Sequence, residues 1–252
     1  MKITVLGSGS AFSSPRRFNS CYFVESGSRK FLLDCGSDAM RAMQKAAIDF
    51  FSVDSIFITH MHADHSAGLP GVLTAMHVMG RKEPLKVYLP YTQTEFAGLW
   101  LANMFIFAEK WSFGFSLIPL KSGKLNLGDG AELQFIETKH LEKYSEQAER
   151  LGIVAVSFAV IVREGGKRFY FSSDLSSLKE AAQHIAGGVS FLEATHPPLE
   201  EVAAVSGNNE AGIYFTHIPM ELEDGGEWRE KLDGKFGIKR LNSVYDGQVI
   251  VL

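Results

Sequence analysis

The chain of 252 residues contains only two cysteines, Cys21 and Cys35. Two cysteines are too few for the disulfide framework of a small secreted protein, so we expect both to stay reduced in a cytoplasm. Positive charge is also in short supply, because the formal net charge is −4. Such a chain has no overall basic field that would attract nucleic acid, although a local basic patch is compatible with it.

Long apolar runs are lacking too. The first seven residues hold too short an apolar run for a signal peptide. The longest apolar stretch, residues 151–162, is interrupted by Gly152 and Ser157. It is too short to cross a bilayer and predicts a buried strand instead, so no membrane partner is expected. No linker or repeat divides the chain, and we therefore expect a single domain over residues 1–252.

What the sequence does contain is a dense run of metal-competent residues, HMHADH, at positions 60–65. The run follows an apolar, β-branched stretch that predicts a buried strand, and it precedes a predicted short helix. Residues two apart on extended backbone point the same way, so His60 and His62 can bind one metal together. After the chain turns, Asp64 and His65 can face a second metal.

Other residues with metal-binding side chains also follow predicted strands. Each comes just after an apolar stretch, at the point where the strand is expected to end. These residues are Asp34, His140, Asp174, His196 and His217. Strand ends along one edge of a sheet open into a common cleft, so we expect these side chains to meet the HMHADH run there.

The order of the predicted elements favours an α+β fold. Strands come first as a hairpin, at residues 21–25 and 30–34, and then alternate with helices. The predicted helices include an aromatic-rich one over 92–107 and another over 178–185, and a predicted strand spans 154–163. This order suits a four-layer αββα sandwich, in which two mixed β-sheets pack face to face with helices outside.

Seven side chains form a candidate dinuclear metal site: His60, His62, Asp64, His65, His140, Asp174 and His217. A two-metal hydrolytic site needs about this many ligands, with positions left for water and substrate. His60, His62 and His140 would bind one metal. Asp64, His65 and His217 would bind the other, and Asp174 would bridge both. The ligand types indicate two divalent ions, Zn²⁺ first, with Mn²⁺ and Fe²⁺ as alternatives. Asp34 is expected to orient a ligand rather than to bind metal.

The order of these residues resembles the motif series of the metallo-β-lactamase fold superfamily, and within it the ribonuclease Z-like branch. The resemblance covers nearly the whole chain. Besides HMHADH, it includes GSGS at 7–10, RRFNS at 16–20, LEAT at 192–195 and FTHI at 215–218. It implies a hydrolase of the αββα fold with the ligand division given above. Position 192 is Leu where ribonuclease Z carries a histidine, and the interval from His140 to Asp174 is short for a tRNA-binding arm.

We therefore expect a dinuclear metal-dependent hydrolase that acts on a phosphodiester. Asp64 and Asp174 would orient the attacking hydroxide, and His196 could protonate the leaving group. A rigid turn before two prolines is the alternative for His196. Hydrolysis of a lactone, thioester or amide at the same site is a second hypothesis, and a metal-binding carrier without catalysis is a third.

The expected partner is a small-molecule or short phosphodiester substrate. Precursor tRNA is a weaker candidate because the chain is acidic overall and lacks a recognisable arm. A homodimer remains open. Arg16 and Arg17 could contact phosphate or lie in a solvated loop. The aromatic residues between positions 100 and 115 could line a substrate pocket, but a buried helix and strand is the interpretation that we favour.

Overall fold

The computed structural model describes residues 1–12, 14–207, 212–223 and 225–252. Its first sheet is formed by β1 (Lys2–Gly7), β2 (Cys21–Ser26), β3 (Arg29–Leu33), β4 (Ser55–Phe57), β5 (Leu85–Pro90), β6 (Phe115–Leu120) and β13 (Val249–Val251). The order across the sheet is β13-β1-β2-β3-β4-β5-β6. The strands from β13 to β3 pair antiparallel, and those from β3 to β6 pair parallel. Parallel neighbours need crossover connections, which carry the helices of this half.

The second sheet is formed by β7 (Gly123–Gly128), β8 (Ala131–Thr138), β9 (Ser157–Glu164), β10 (Lys167–Phe171), β11 (Val189–Glu193) and β12 (Ile213–Thr216). Its order is β12-β11-β10-β9-β8-β7. The strands from β7 to β10 pair antiparallel, and β10, β11 and β12 pair parallel. Both sheets are therefore mixed, as predicted.

Seven helices accompany the two sheets in the described part of the chain. They are α1 (Ala39–Lys45), α2 (Ala63–Ser66), α3 (Leu69–Val78), α4 (Thr94–Asn103), α5 (Ser145–Arg150), α6 (Leu199–Gly207) and α7 (Glu227–Phe236). Apolar residues of α1, α3 and α4 pack on the first sheet, and those of α6 and α7 pack on the second. Among the described residues, no helix has the length and apolar character that crossing a bilayer requires.

A core of aromatic and branched side chains fills the space between the sheets. Along β2, Tyr22 belongs to this core, whereas its neighbour Cys21 packs on the side of the outer helices. This alternation is what a pleated strand dictates. The rings of Phe57 in β4 and Phe135 in β8 lie 5.6 Å apart, so the sheets contact each other directly. The αββα sandwich that the sequence predicts is confirmed.

Two predicted elements near the first sheet differ from the structure. The helix predicted over 92–107 ends at Asn103. Phe105 has a positive φ of 60° and is 85% exposed, so the interpretation of a buried aromatic segment was wrong at this position. The strand predicted over 154–163 begins only at Ser157. Leu151, which we assigned to the same apolar stretch, is exposed in a turn.

The helix predicted over 178–185 was also wrong, because only a 3₁₀ turn forms at Leu178–Glu180. The carboxylate of Glu180 accepts hydrogen bonds from the backbone N–H groups of Lys139 at 2.8 Å and Ser176 at 2.9 Å. The bond from Lys139 joins the segment to the loop after β8. Tertiary contacts of this kind override local helix propensity.

Candidate metal centre

The run at residues 60–65 lies where the chain leaves β4 and enters α2. His62 has extended backbone and is the N-cap residue of α2, whose single turn carries Asp64 and His65. The ring centroids of His60 and His62 lie 4.7 Å apart, and those of His60 and His65 lie 4.1 Å apart. The change from extended chain to helix therefore gathers the three rings at one strand end.

Three histidines and Asp174 form a first group of donor atoms. His60 Nε2 lies 3.6 Å from Asp174 Oδ2, and His140 Nε2 lies 3.5 Å from the same oxygen. His62 Nδ1 lies 3.2 Å from His140 Nε2. One donor atom of each of the four residues lies within 4.8 Å of the others. This spacing fits a single ion held by His60, His62, His140 and Asp174.

A second group forms on the other oxygen of Asp174. His65 Nε2 lies 3.2 Å and His217 Nδ1 3.6 Å from Asp174 Oδ1. His65 Nε2 and His217 Nε2 lie 3.5 and 3.6 Å from Asp64 Oδ2. The donors of Asp64, His65 and His217 also lie within 4.8 Å of one another. The structure thus brings together the seven side chains that the sequence singled out, with Asp174 between the two groups.

Several buried donor atoms of this cluster have no hydrogen-bond partner in the described part of the chain. They are His60 Nε2, His65 Nε2, both carboxylate oxygens of Asp174 and both ring nitrogens of His217. Each unpaired buried polar atom costs about 1–3 kcal/mol, so such a concentration calls for a ligand. Imidazole nitrogens that face carboxylate oxygens are the donors that divalent transition-metal ions take. The residues therefore fit a dinuclear metal centre.

Asp34 supports the cluster from behind, fully buried at the end of β3. Its Oδ2 lies 2.7 Å from His65 Nδ1, and its Oδ1 accepts hydrogen bonds from the backbone N–H and hydroxyl of Thr59 at 2.8 and 2.9 Å. A histidine that donates its Nδ1 proton to a carboxylate keeps Nε2 as its ligand atom. Asp34 therefore holds the His65 ring with Nε2 toward the other donors.

Burial and neighbouring charges set the protonation of the cluster. Burial lowers the pKa of His60 well below its ordinary value, and the neighbouring His65 lowers it further. Burial also lowers the pKa of His140, to about 3, against the attraction of Asp174. Burial raises the pKa of Asp64, but the charge of the His65 ring, 3.5 Å away, outweighs burial and brings that pKa to about 2. Burial lowers the pKa of His65, but the charges of Asp174 and Asp34 outweigh burial and raise it well above its ordinary value. Neutral imidazole and ionised carboxylate are the forms that bind metal, so His65 must release a proton when an ion binds.

A further pair, Glu193 and His196, stands beside the cluster. His196 Nδ1 lies 2.8 Å from Glu193 Oε2, which also accepts a hydrogen bond from the backbone N–H of His196 at 3.0 Å. The same Nδ1 lies 3.5 Å from Asp174 Oδ2. Burial lowers the pKa of His196, but the hydrogen bond and charge of Glu193 outweigh burial and raise that pKa above its ordinary value. The ring, 27% exposed, can therefore carry a proton at the edge of the cluster.

Glu193 had no predicted role of its own. It is the last residue of β11 and is fully buried. A buried glutamate needs a partner, and the histidine three residues later was the signal that could have identified the pair. Donor atoms of Asp174, Glu193, His196 and His217 also lie within 4.8 Å of one another. Asp174 thus belongs to a third group of metal-competent atoms that we did not foresee.

The architecture and the donor cluster define a protein of the metallo-β-lactamase fold. Human tRNase Z, short form, superposes with a TM-score of 0.73 over 100% of this chain and 99% of that chain, at 19% identity. YhfI from Bacillus subtilis gives a TM-score of 0.72 over 99% and 98% of the two chains, at 18% identity. Zn²⁺-bound PqqB from Methylobacterium extorquens gives 0.69 over 100% of each, at 17% identity. These likenesses show the shared fold.

Sequence comparison narrows this class to a family. The family model of the anti-Pycsar protein Apyc1 matches residues 1–224, so the chain belongs to the Apyc1 family. Ribonuclease Z of Methanosarcina acetivorans is 34% identical over 140 residues, which make up 56% of this chain and 45% of that protein. Ribonuclease Z of Archaeoglobus fulgidus is 33% identical over 142 residues, with the same shares. The chain spans about half the length of the curated relatives that it matches, and they confirm its resemblance to ribonuclease Z.

Proposed function

We propose that this protein is a dinuclear metal-dependent phosphodiesterase. The observation that carries the proposal is the cluster of unpaired buried donors shared between the two oxygens of Asp174. His60, His62 and His140 would hold one ion, Asp64, His65 and His217 the other, and Asp174 both. When bound, the two ions supply Lewis-acid activation of water and of the phosphoryl oxygen. The nitrogen-rich ligand set favours Zn²⁺ over Mn²⁺ or Fe²⁺, and the Zn²⁺ bound by PqqB, which shares the fold, supports that order.

The chain's own residues would share the remaining chemistry. Asp64 and Asp174 would accept hydrogen bonds from the attacking water and so orient it. His196, held protonated by Glu193, would donate its proton to the leaving oxygen. A P–O bond to water forms, the P–O bond to the leaving alcohol breaks, and the products are a phosphomonoester and an alcohol.

We infer that the substrate is a small or short phosphodiester rather than precursor tRNA. The segment between His140 and Asp174 folds into the one-and-a-half-turn helix α5 and then into β9 and β10, which lie inside the second sheet. A net charge of −4 adds no general attraction for RNA. The relatives reported above are named ribonuclease Z, and precursor tRNA therefore belongs in the test.

The test is a substrate panel with the metal-loaded protein: bis-para-nitrophenyl phosphate, cyclic nucleotides, precursor tRNA, lactones and thioesters. We expect hydrolysis of the small phosphodiesters, loss of activity on chelation, recovery with Zn²⁺ or Mn²⁺, and two metal ions per chain by elemental analysis. Preference for a lactone or thioester would favour the second hypothesis, in which the same site hydrolyses a lactone, thioester or amide. Accurate processing of precursor tRNA would overturn the inference on substrate size, and metal binding without any turnover would favour a carrier.

Matched variants connect this activity to the cluster. His60→Ala and Asp174→Ala each remove a proposed ligand and should fold but lose nearly all hydrolysis. Added metal should rescue His60→Ala better than Asp174→Ala, because a bridging ligand has no substitute. The control is His77→Ala, which removes a histidine of α3 that stacks on Trp111 outside the cluster. Wild-type turnover by either ligand variant would place the chemistry elsewhere.

We infer that the protein forms a homodimer through an apolar surface on the helix side of the first sheet. Exposed residues there include Val78 at the end of α3, Leu99 on α4 and Phe105 just after it, at 77%, 59% and 85% exposure. Large apolar side chains exposed on the helix layer of one sheet favour an interface there. Leu99→Glu with Phe105→Asp should halve the mass measured by light scattering, while Val251→Glu on the edge strand β13 should not. A monomeric wild-type protein would contradict the inference.

The two thiols support a reducing location. Cys21 and Cys35 are both free and buried. Burial raises the pKa of each thiol, which keeps it unreactive. We infer that the protein works in a cytoplasm. Cell fractionation tests this, and native protein in an oxidising compartment would contradict the inference.

A further inference from the structure

A cavity of about 310 Å³ opens between the loop after β1 and the C-terminal part of the chain. Its lining includes four arginines and one carboxylate: Arg16, Arg17, Arg229, Arg240 and Glu223. Tyr245 and Ser243 complete one side. These guanidinium groups form a local basic patch on a chain whose net charge is −4.

The cavity is separate from the metal cluster but shares a wall with it. Ile218, which lines the cavity, follows the proposed ligand His217 directly. The backbone N–H of Ile218 donates to the carbonyl of Ser8 at 2.9 Å, in the loop after β1. One wall of the cavity is therefore formed by the same strand end that carries His217. None of the seven proposed ligands lines the cavity.

Arg17 is part of the wall and its charge is already matched. Its Nη1 donates to Ser8 Oγ and to the carbonyl of Val244, both at 2.7 Å, and its Nε lies 3.4 Å from Glu223 Oε1. The same carboxylate oxygen of Glu223 accepts a hydrogen bond from Ser14 at 2.9 Å. The interpretation of a solvated Arg17 was therefore wrong, and Glu223 is committed to this wall.

Arg229 and Arg240 are in a different situation. Arg229 projects from α7 and is half-buried, and Arg240 lies in the segment after that helix. Within the described ranges of the chain, no carboxylate lies at ion-pair distance from either guanidinium group. Two guanidinium groups that line one cavity and have no matching anion among the described residues are complementary to a doubly charged oxyanion, which each can bind through two parallel hydrogen bonds.

We propose that this cavity is a binding site for a phosphomonoester. A phosphomonoester carries a charge of about −1.5 to −2 at neutral pH, which matches the two uncommitted arginines. Tyr245, 61% exposed, offers an aromatic face for the organic part of the ligand. The volume is at the lower end of the range typical of small-molecule sites, which is about 300–1,000 Å³. A phosphomonoester is also the class of product that the proposed hydrolysis would release. This link to the product rests on the proposed function, whereas the binding site itself does not.

The experiment uses the full chain with and without a working metal cluster. Binding of phenyl phosphate is measured by calorimetry to the wild-type protein and to Asp174→Ala, in which the proposed metal site is disabled. We expect one binding event to persist in Asp174→Ala. Arg229→Gln and Arg240→Gln, made in that background, should each weaken it about 10- to 100-fold, as the loss of a charge-assisted hydrogen bond predicts. Arg41→Gln, an exposed arginine of α1, is the matched control and should change nothing.

Each other outcome is decisive. Unchanged affinity in both arginine variants, or no binding in Asp174→Ala, would overturn the proposal. Tighter binding of inorganic phosphate than of phenyl phosphate would overturn the phosphomonoester assignment in favour of free phosphate. Arg240 is exposed, so its variant keeps the test open if Arg229→Gln fails to fold. A chain that binds phenyl phosphate but hydrolyses no phosphodiester would reject the proposed function and retain this site.

Discussion

Replacement of Asp34 by asparagine tests how the cluster is built, because it replaces one carboxylate oxygen by an NH₂ group and leaves the size of the side chain unchanged. The carboxylate accepts from Thr59 on one oxygen and faces His65 Nδ1 at 2.7 Å on the other. In Asp34→Asn the remaining oxygen can serve only one of these neighbours. If it keeps Thr59, the new NH₂ group faces the N–H of His65, and two donors oppose each other. The His65 ring then loses its orientation or its tautomer.

The expected cost falls mainly on one metal ion. Loss of a carboxylate that orients a ligating histidine typically weakens metal binding about 10- to 100-fold, or about 1.4–2.8 kcal/mol. His65 belongs to the donor group with Asp64 and His217, so the ion proposed there should be weakened. The ion proposed for His60, His62 and His140 should stay close to its wild-type affinity. We therefore expect Asp34→Asn to keep about one ion per chain at a free Zn²⁺ concentration that saturates the wild-type protein.

The assay is a Zn²⁺ titration against a chromophoric chelator, with elemental analysis after dialysis at fixed free Zn²⁺. Asp233→Asn makes the same chemical change at an exposed position of α7 and serves as the control. Binding of two ions at wild-type affinity by Asp34→Asn would refute the orienting role. Equal loss of both ions would show that Asp34 maintains the whole cluster through Thr59 rather than one ligand.

Four further results are expected. His196→Ala should retain metal but lower turnover by about 10²- to 10⁴-fold, most for substrates with poor leaving groups, and loss of metal would make it a ligand. In Glu193→Gln the pKa of His196 should fall, so the loss of kcat/KM with rising pH should begin at lower pH, and an unmoved profile would contradict the pairing. Arg81→Leu removes a buried guanidinium that donates to the carbonyls of Phe50 at 2.9 Å and Val53 at 2.7 Å. The variant should lower the free energy of unfolding, measured by urea denaturation, by about 3 kcal/mol or more. A change near zero would show that water replaces the guanidinium as the partner of those carbonyls. Chelation should lower Tm without unfolding the chain, as circular dichroism would show.

The positions of the donors could be predicted because each follows an apolar strand. His140 comes after β8, Asp174 after β10 and His217 after β12, and the alternation of buried strands with turns is visible in the sequence. The sandwich then brings those strand ends together. Which oxygen of Asp174 faces which histidine depends on how the two sheets are set against each other, and no local pattern encodes that.

The errors also have identifiable physical causes. Helix α7 was missed because its ten residues contain Gly234 and few apolar side chains, with only Leu232 buried. The segment at 178–185 looked helical because its own residues favour a helix. The carboxylate of Glu180 instead accepts from the backbone N–H of Lys139, and Arg168 donates to the carbonyl of His184, so other parts of the chain hold the segment as turns. Partners that are distant in sequence decided the outcome there.

Backbone conformation explains how the donors can be placed before any ion binds. Asp34, Ser173 and His217 have positive φ values of 61°, 49° and 51°, and each lies just after a strand beside the cluster. A non-glycine residue in this region can cost about 1–3 kcal/mol, so each needs compensating contacts. Ser173 Oγ lies 2.7 Å from Thr59 Oγ1, which donates to Asp34, and the carbonyl of His217 accepts from the hydroxyl of Thr195. These hydrogen bonds join strand ends of both sheets and involve no metal. The fold itself therefore holds the turns that orient the proposed ligands, unlike a zinc finger, in which metal binding and folding are one event.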